Sequence, residues 1–436
     1  MGDLGLKEAI AMALGGMIGG GIYSAFGIVV AIAGKAAWVA FLVAGSIAMC
    51  AGYSYVKLNE LIDERGGEPT YLRETISNST LSGMTGWTLL FGYIGSMALY
   101  AYAFSSFFSE MLGRLHYMGV SVPKLVSVLL IAGFVGLNLV GASETGKAED
   151  VLTFFKVAVI GIFGAWGVWY AFTGEMLTFG FSVALSFSPI MGAAMSFVAF
   201  QGWQLLLYDQ DQFENSVENI RKAIYVSIPA ATLLYILVAF TTVSILELSV
   251  IAVAPEVSLL YAALPYMGRV GAFVIGLSAL FSTASAVNAT LFSSAQFSRN
   301  LIDNGLLPDR FSSDGDQEVP SEIVVVLGVL SAAFAVFGSL SSITSFASLA
   351  FIAVFGAMCY LAFRERSEID DFRTPIPIVG MVGTAAFFPL LLYNLYLSSP
   401  STFYLVLLIG VLVVGSELAY FEREPIEEAV PGMEND

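Results

Sequence analysis

Histidine and cysteine are almost missing: the 436 residues include one histidine, His116, and two cysteines, Cys50 and Cys359. No HExxH or CxxC pair occurs, and both cysteines fall inside apolar runs, so no disulfide framework, metal site or cofactor is expected. Charge is scarce too, at 12% of residues, about half the ~25% of a soluble domain. Basic residues are scarcer still: 18 Lys and Arg face 35 Asp and Glu, a formal charge of −17. That balance leaves no basic face for nucleic acid. The alternating pattern of a membrane β-barrel is absent as well.

What the chain has instead is apolar sequence: 57% of it, with a mean hydropathy of +0.81. The apolar residues form many separate runs, most near the ~20 residues of a spanning helix. This predicts an all-α integral membrane protein with spans at about 7–32, 36–61, 83–112, 124–141, 151–173, 187–210, 222–247, 270–299, 320–338, 342–363, 374–397 and 402–421. Twelve spans put both termini on one side. With the N-terminus inside, thirteen Lys and Arg are cytoplasmic and four (Lys35, Arg114, Lys124 and Arg269) are external, with Lys156 inside span five. The positive-inside rule therefore predicts two cytoplasmic ends in the cell membrane. Ala31-Ile32-Ala33 has the form of a signal cleavage site, but the preceding apolar stretch is too long and Asp3 and Glu8 spoil a basic leader, so no cleavage is expected.

Acids gather in loops and at the C-terminus: Asp303, Asp309, Asp314, Asp316 and Glu318, then Glu422 to Asp436. They fit a host with a salty cytoplasm or simply an acidic tail, since charge speaks to solubility rather than fold. The segment 248–269, broken by Pro255 and Pro265, reads as an external loop with a short helix on the surface. Loops 63–82, 211–221 and 300–319 read as polar and cytoplasmic.

The stretch Gly15-Gly16-Met17-Ile18-Gly19-Gly20-Gly21-Ile22-Tyr23-Ser24 stands near the middle of span one. Each glycine costs a helix about 1 kcal/mol relative to alanine, so three in a row predict an interruption. Unwound backbone survives in lipid only where protein covers it or where it lines a polar cavity. Its freed amides and carbonyls can then bind a small zwitterion. The same glycines also satisfy small-xxx-small spacing, which serves helix packing. Span six carries a second interruption, Phe200-Gln201-Gly202-Trp203-Gln204. Interrupted spans at the start of two five-span halves, 1–173 and 187–363, point to an inverted-repeat transporter. Spans eleven and twelve (374–421) and the tail 422–436 lie outside the repeat, and oligomeric state is not readable.

At these residues the chain resembles the amino acid–polyamine–organocation (APC) superfamily, most closely its proton-coupled ApcT-type amino acid permeases. Gly16-Met17-Ile18-Gly19-Gly20-Gly21-Ile22-Tyr23 is similar to the family's G-x-x-I-G-x-G-I-F. Phe200-Gln201-Gly202-Trp203, with Phe213-Glu214-Asn215 and Asn219-Ile220-Arg221-Lys222-Ala223-Ile224, resembles the span-six loop. That loop's usual prolines are here Ser216 and Arg221. The span-eight run Ala279 to Thr290, continuing to Asn304-Gly305-Leu306-Leu307-Pro308, and Lys156 in span five complete the match.

The resemblance implies a LeuT-like fold with broken helices one and six. A substrate carboxylate would meet amides around Gly20 and Gly21, and its ammonium the carbonyls of Met17 and Ile18 and the break before Gly202. Helix ends supply those two poles, which suit an α-amino acid and not a sugar. Phe197, Phe200 and Trp203 form either an aromatic lid or core filling. Gln201 and Gln204 either read a side chain or bridge helices. Apart from Lys156, no fixed charge stands beside the breaks, which points to neutral or apolar amino acids. Lys156 could snorkel to the interface. In the proton-coupled branch a lysine there replaces a sodium ion between spans one and eight, with Ser282, Thr283, Ser285 and the carbonyl of Ile18 or Gly19 around it. The resemblance thus implies proton symport. Exchange of one amino acid for another is the alternative. A channel would need a continuous polar lining or a charged ring, and an intramembrane enzyme would need paired acids or a nucleophile–base pattern. Neither is legible.

Overall fold

The computed structural model describes residues 4–113, 116–117, 120–140, 146–307 and 321–421. Arg114, Asp309, Arg310, Asp314, Asp316, Glu318, Arg423 and the acidic tail lie outside these residues, as do the side chains of His116 and Lys147.

The first apolar segment begins with α1 (Leu6–Gly16). It runs through a π-turn at Met17–Gly21 into α2 (Ile22–Ser24) and α3 (Phe26–Ala33), which ends at Gly34 with φ +60°. Here the structure corrects the expectation of unwound backbone. Residues 16, 17 and 22 keep right-handed helical angles, so the glycines widen the helix by an inserted residue instead of opening it. A chain reversal then leads to α4 (Ala37–Ile62), closed by Asp63 in the left-handed region at φ +48°.

The loop after α4 is not simply polar. Gly66 (φ +121°) and Gly67 (φ +67°) turn the chain into α5 (Glu68–Ile76), whose first five residues are buried. Then follow α6 (Ser79–Met111), capped by the Asn78 side chain on the Leu81 amide, and a two-residue antiparallel pair, β1 (His116–Tyr117) with β2 (Val120–Ser121). Next come α7 (Val122–Leu139) and α8 (Gly146–Thr173).

The second interrupted segment is discontinuous in the full sense. After α9 (Phe187–Ser196) comes a 3₁₀ turn (Phe197–Phe200), an extended Gln201, Gly202 at φ +121°, then 3₁₀ turns at Trp203–Leu207 and Gln210–Gln212. The chain continues with α10 (Ser216–Ile245), α11 (Leu248–Val253), a 3₁₀ turn (Pro255–Val257) and α12 (Ser258–Asp303), which kinks at Gly268. It ends with α13 (Ser321–Phe337), α14 (Leu340–Arg364), α15 (Pro375–Ser398) and α16 (Pro400–Phe421).

By length and composition, nine helical segments among the described residues can cross a membrane, counting Phe26–Ile62 as one; Ser321–Phe337 and Pro400–Ser416 are shorter apolar helices. Several helices outrun their apolar runs. α6 starts at residue 79 instead of 83, and α10 at 216 instead of 222, because polar terminal turns escape a hydropathy reading. In the segment 248–269 the short helix α11 lies at the surface with Ile251 as its one buried residue, but the chain after it turns inward: Ala254, Val257 and Leu259 are buried, and a Cβ at Gly27 would overlap the Pro255 carbonyl.

α10 packs along α4, α12 along α6, and α14 against both α6 and α15. This assembly encloses the two interrupted segments. Leu125, Leu129 and Leu137 on α7 and Leu408, Val411 and Leu412 on α16 project outward, the apolar exterior of a protein solvated by lipid.

Candidate substrate and coupling site

The two interruptions touch. A Cβ at Gly16 would stand 2.9 Å from the Gly202 Cα, and one at Gly21 would stand 2.7 Å from the Ala199 Cα, so bare glycines permit this approach. The Tyr235 hydroxyl on α10 lies 2.7 Å from the Met17 carbonyl oxygen and 2.8 Å from that of Ala199. Ser348 on α14 serves the other side of the gap. Its Oγ donates to the Met195 carbonyl at 2.9 Å and accepts from the Val198 amide at 3.1 Å. The Gly202 amide donates to Gln204 Oε1 at 2.7 Å. Backbone groups freed by the break therefore find side-chain partners, as burial demands.

Beside this junction is a cavity of about 250 Å³, lined by Gly15, Gly16, Gln201, Gly202, Asp209 and Ser285 among others. It runs toward the side of the molecule that carries Leu4 and Gln212. Asp209 is buried there, and that burial raises its carboxyl to about 6 even though Arg65 pulls it down.

The predicted residues divide into three groups. Gln201, Gly202 and Ser285 line the cavity. Met17, Ile18, Gly19, Gly20 and Gly21 are buried at the helix junction, with Gly20 against the Tyr100 ring. The aromatics part company: Phe200 stacks edge-on against Tyr235, with centroids 5.2 Å apart, whereas Trp203 packs among Tyr55 and Phe355 and Phe197 against Phe355 and Phe387. Gln201 and Gln204 bridge helices, donating to Tyr100 and Tyr93 on α6.

Lys156 does not snorkel. It is 1% exposed, and its Nζ donates to Ser285 Oγ on α12 at 3.1 Å. A Cβ at Gly19 would lie 3.5 Å from both this Nζ and the Ser282 carbonyl oxygen. Ser282 Oγ is buried without a hydrogen-bond partner, while the Thr283 hydroxyl donates to Ala279 within its own helix at 2.7 Å. Ser285 therefore meets the ammonium with its side chain, Ser282 stands close by, and Thr283 faces its own backbone.

The amino acid permease family profile matches residues 4–421. The chain belongs to the amino acid permease family. It is 28% identical over 424 residues to the inner membrane transport protein YbaT of Escherichia coli, a match covering 94% of each chain. The methylthioribose transporter of Bacillus subtilis is 24% identical over 94% of this chain and 90% of its own. The serine/threonine exchanger SteT of the same species is 25% identical over 70% and 69%. This permease is a multi-pass membrane transporter and not an enzyme. Among the described residues, no group of three or more His, Cys, Asp or Glu could hold a metal ion.

Sequence reasoning missed Tyr235, Ser348 and Tyr100, which hold the interruptions. A tyrosine at mid-span with no neighbouring polar residue was the available signal, because a buried phenol needs a partner.

Proposed function

We propose that this permease imports amino acids, neutral ones in particular, by proton symport with alternating access. Twelve spans cross the cell membrane as a LeuT-like 5+5 inverted repeat. Residues 1–173 and 187–363 are its halves, 374–421 adds two spans, and both termini, with the tail 422–436, face the cytoplasm. What supports the repeat is that the first helix of each half departs from regular α-helix, by a π-turn at Met17–Gly21 in one and a break at Gln201 and Gly202 in the other, and that these two places meet.

One observation carries the coupling: a lysine buried in span five bonds span eight while packed on the glycine turn of span one. The buried ammonium ties those helices together, so loss of its proton would release the tie. Proton release and helix movement are thereby linked. With the N-terminus inside, the cavity by Gly16 and Gly202 opens inward, and the outer side is closed by the Pro255–Val257 turn on α3 and by Tyr23 on Phe107 and Ser278. Amides at Gly20 and Gly21, now covered by Tyr100 and Ala199, become available to a substrate carboxylate when the interrupted helices move.

Exchange is the second reading, and the similarity to a serine/threonine exchanger favours it. Purified protein in liposomes separates the two. Accumulation of a labelled neutral amino acid driven by an inward proton gradient supports symport. Counterflow that persists at full rate with the gradient collapsed, and no gradient-driven accumulation, makes the protein an exchanger. Uptake of a thio-sugar and of no amino acid would overturn the substrate class.

A further inference from the structure

Three charged residues are buried among the described ones: Lys156, Asp209 and Glu68. The first two belong to the site above. Glu68, fully buried at the start of α5, lies outside the cavity lining. One of its oxygens accepts from the Tyr55 hydroxyl of α4 at 2.7 Å and the other from the Tyr208 hydroxyl at 2.9 Å. Tyr208 and Tyr93 share a hydrogen bond of 2.7 Å. Gln204 Nε2 lies 3.4 Å from the Tyr93 hydroxyl and 3.4 Å from Gln201 Oε1, and Gln204 Oε1 holds the Gly202 amide. A continuous polar chain therefore runs from Glu68 to the break in span six.

The hydrogens in this chain can be counted. Each tyrosine hydroxyl carries one, and an ionised carboxylate only accepts. With Glu68 ionised, Tyr55 and Tyr208 both donate to it, Tyr93 donates to Tyr208, and the oxygen of Tyr93 is left to accept from Gln204. Every bond is satisfied in one direction. With Glu68 protonated on the Tyr208 side, its own hydrogen faces Tyr208, Tyr208 turns its hydrogen to Tyr93, and the Tyr93 hydrogen meets the Gln204 amide, donor against donor. The chain is fully ordered with Glu68 ionised and is disturbed when the proton sits on the oxygen facing Tyr208, whereas a proton on the oxygen facing Tyr55 leaves Tyr208, Tyr93 and Gln204 in the same order and gives up only the Tyr55 bond.

We propose that Glu68 is a second protonatable site of this transporter, a positioning residue whose charge state sets how firmly Tyr208 and Gln204 hold the broken span six against α6. The inference rests on the reading of the interrupted helices as moving parts. Burial lifts the Glu68 carboxyl to about 7, against a hydrogen bond from its own backbone amide and those from the two tyrosine hydroxyls. The titratable groups around it are Tyr55 on α4, Tyr71 on α5, Tyr93 on α6, Tyr208, Asp63 in the preceding turn and Cys359 on α14 beside Tyr55. Neighbouring arginines are engaged elsewhere: Arg65 with the Tyr208 carbonyl and Asp211, and Arg73 with Glu64 and Glu74.

The full-length protein in liposomes tests this in two ways. Infrared difference spectra between pH 6 and pH 8 should contain a protonated-carboxyl band that Glu68→Gln removes; identical spectra would overturn the assignment. In counterflow without an imposed gradient, Glu68→Gln should lose at least threefold of the wild-type change in rate across that range, staying near the acid level. Tyr208→Phe removes a donor to the ionised form and should move the midpoint to higher pH. If Glu68→Gln does not fold, Tyr208→Phe decides alone, and an unshifted midpoint overturns the proposal. The infrared band reports Glu68 whether or not amino acids prove to be carried, so failure of the transport reading stays distinguishable.

Discussion

The Tyr235 hydroxyl and the Met17 carbonyl oxygen are 2.7 Å apart, and the same hydroxyl lies 2.8 Å from Ala199. One side chain of α10 thus ties the π-turn of the first span to the gap of the sixth. Tyr235→Phe removes the hydrogen and leaves two buried carbonyls without it, at a cost of ~1–3 kcal/mol for an unsatisfied buried group. A lower unfolding midpoint in detergent and a slower maximal uptake rate are expected. An unchanged midpoint would mean that Tyr235 contributes packing alone.

Gly20 and Gly133 form a matched pair for the glycine argument. A Cβ at Gly20 would overlap the Tyr100 ring, whereas one at Gly133 on α7 would meet nothing within 4 Å. Gly20→Ala is therefore expected to abolish uptake and lower stability. Gly133→Ala is expected to leave uptake intact and to gain up to ~1 kcal/mol of helix propensity. Equal tolerance of both changes, read by thermal unfolding and uptake, would remove the close-approach role of Gly20.

Asp209 sets a pH dependence of stability. Burial raises its carboxyl to about 6, Arg65 opposes this, and Asp211 adds to it; the ordinary value is 3.8. The folded state therefore binds this proton more tightly than the unfolded chain. Its contribution is full below about 3.8 and is lost as pH rises through about 6. Asp209→Asn, which keeps the oxygen that accepts from Gln212 Nε2 at 3.2 Å, removes that loss. The variant should unfold later than wild type at pH 8, by up to ~3 kcal/mol at 1.36 kcal/mol per pKa unit, with the gap closing at pH 4. A gap independent of pH would contradict the assignment.

Much of this was legible in the chain itself. Apolar runs located the helices because lipid demands an apolar exterior, and they failed where polar turns extend α6 and α10 beyond it. Gly202 was readable as a break, since its φ of +121° suits glycine. The run Gly19–Gly21 suggests unwound backbone and forms a π-turn instead, because right-handed helix remains available to glycine when neighbours such as Tyr100 and Ala199 pack it in place. The burial of Glu68 could not be read: its surroundings in sequence are polar, and its partners Tyr55 and Tyr208 come from distant helices. Lys156 and Ser285 are 129 residues apart, and only the family resemblance joined them before the structure did.

That pair also sets the size of the Lys156 effects. Ser285→Ala deletes the 3.1 Å partner of the ammonium but leaves the lysine in place. Gradient-driven uptake should fall by about ten- to a hundredfold, in line with ~1.5–3 kcal/mol for a hydrogen bond to a charged group. Thr283→Ala, which touches only its own helix, should cost less than twofold. The reverse ranking would move the coupling site away from Ser285.

The most direct test of the account is accumulation of a neutral amino acid by liposomes under an inward proton gradient, with wild type and Lys156→Ala side by side. The account predicts concentrative uptake by wild type, loss of concentration in the variant, and retained gradient-independent exchange. Full pH-driven accumulation by Lys156→Ala would contradict it and leave the buried lysine a structural tie between spans five and eight.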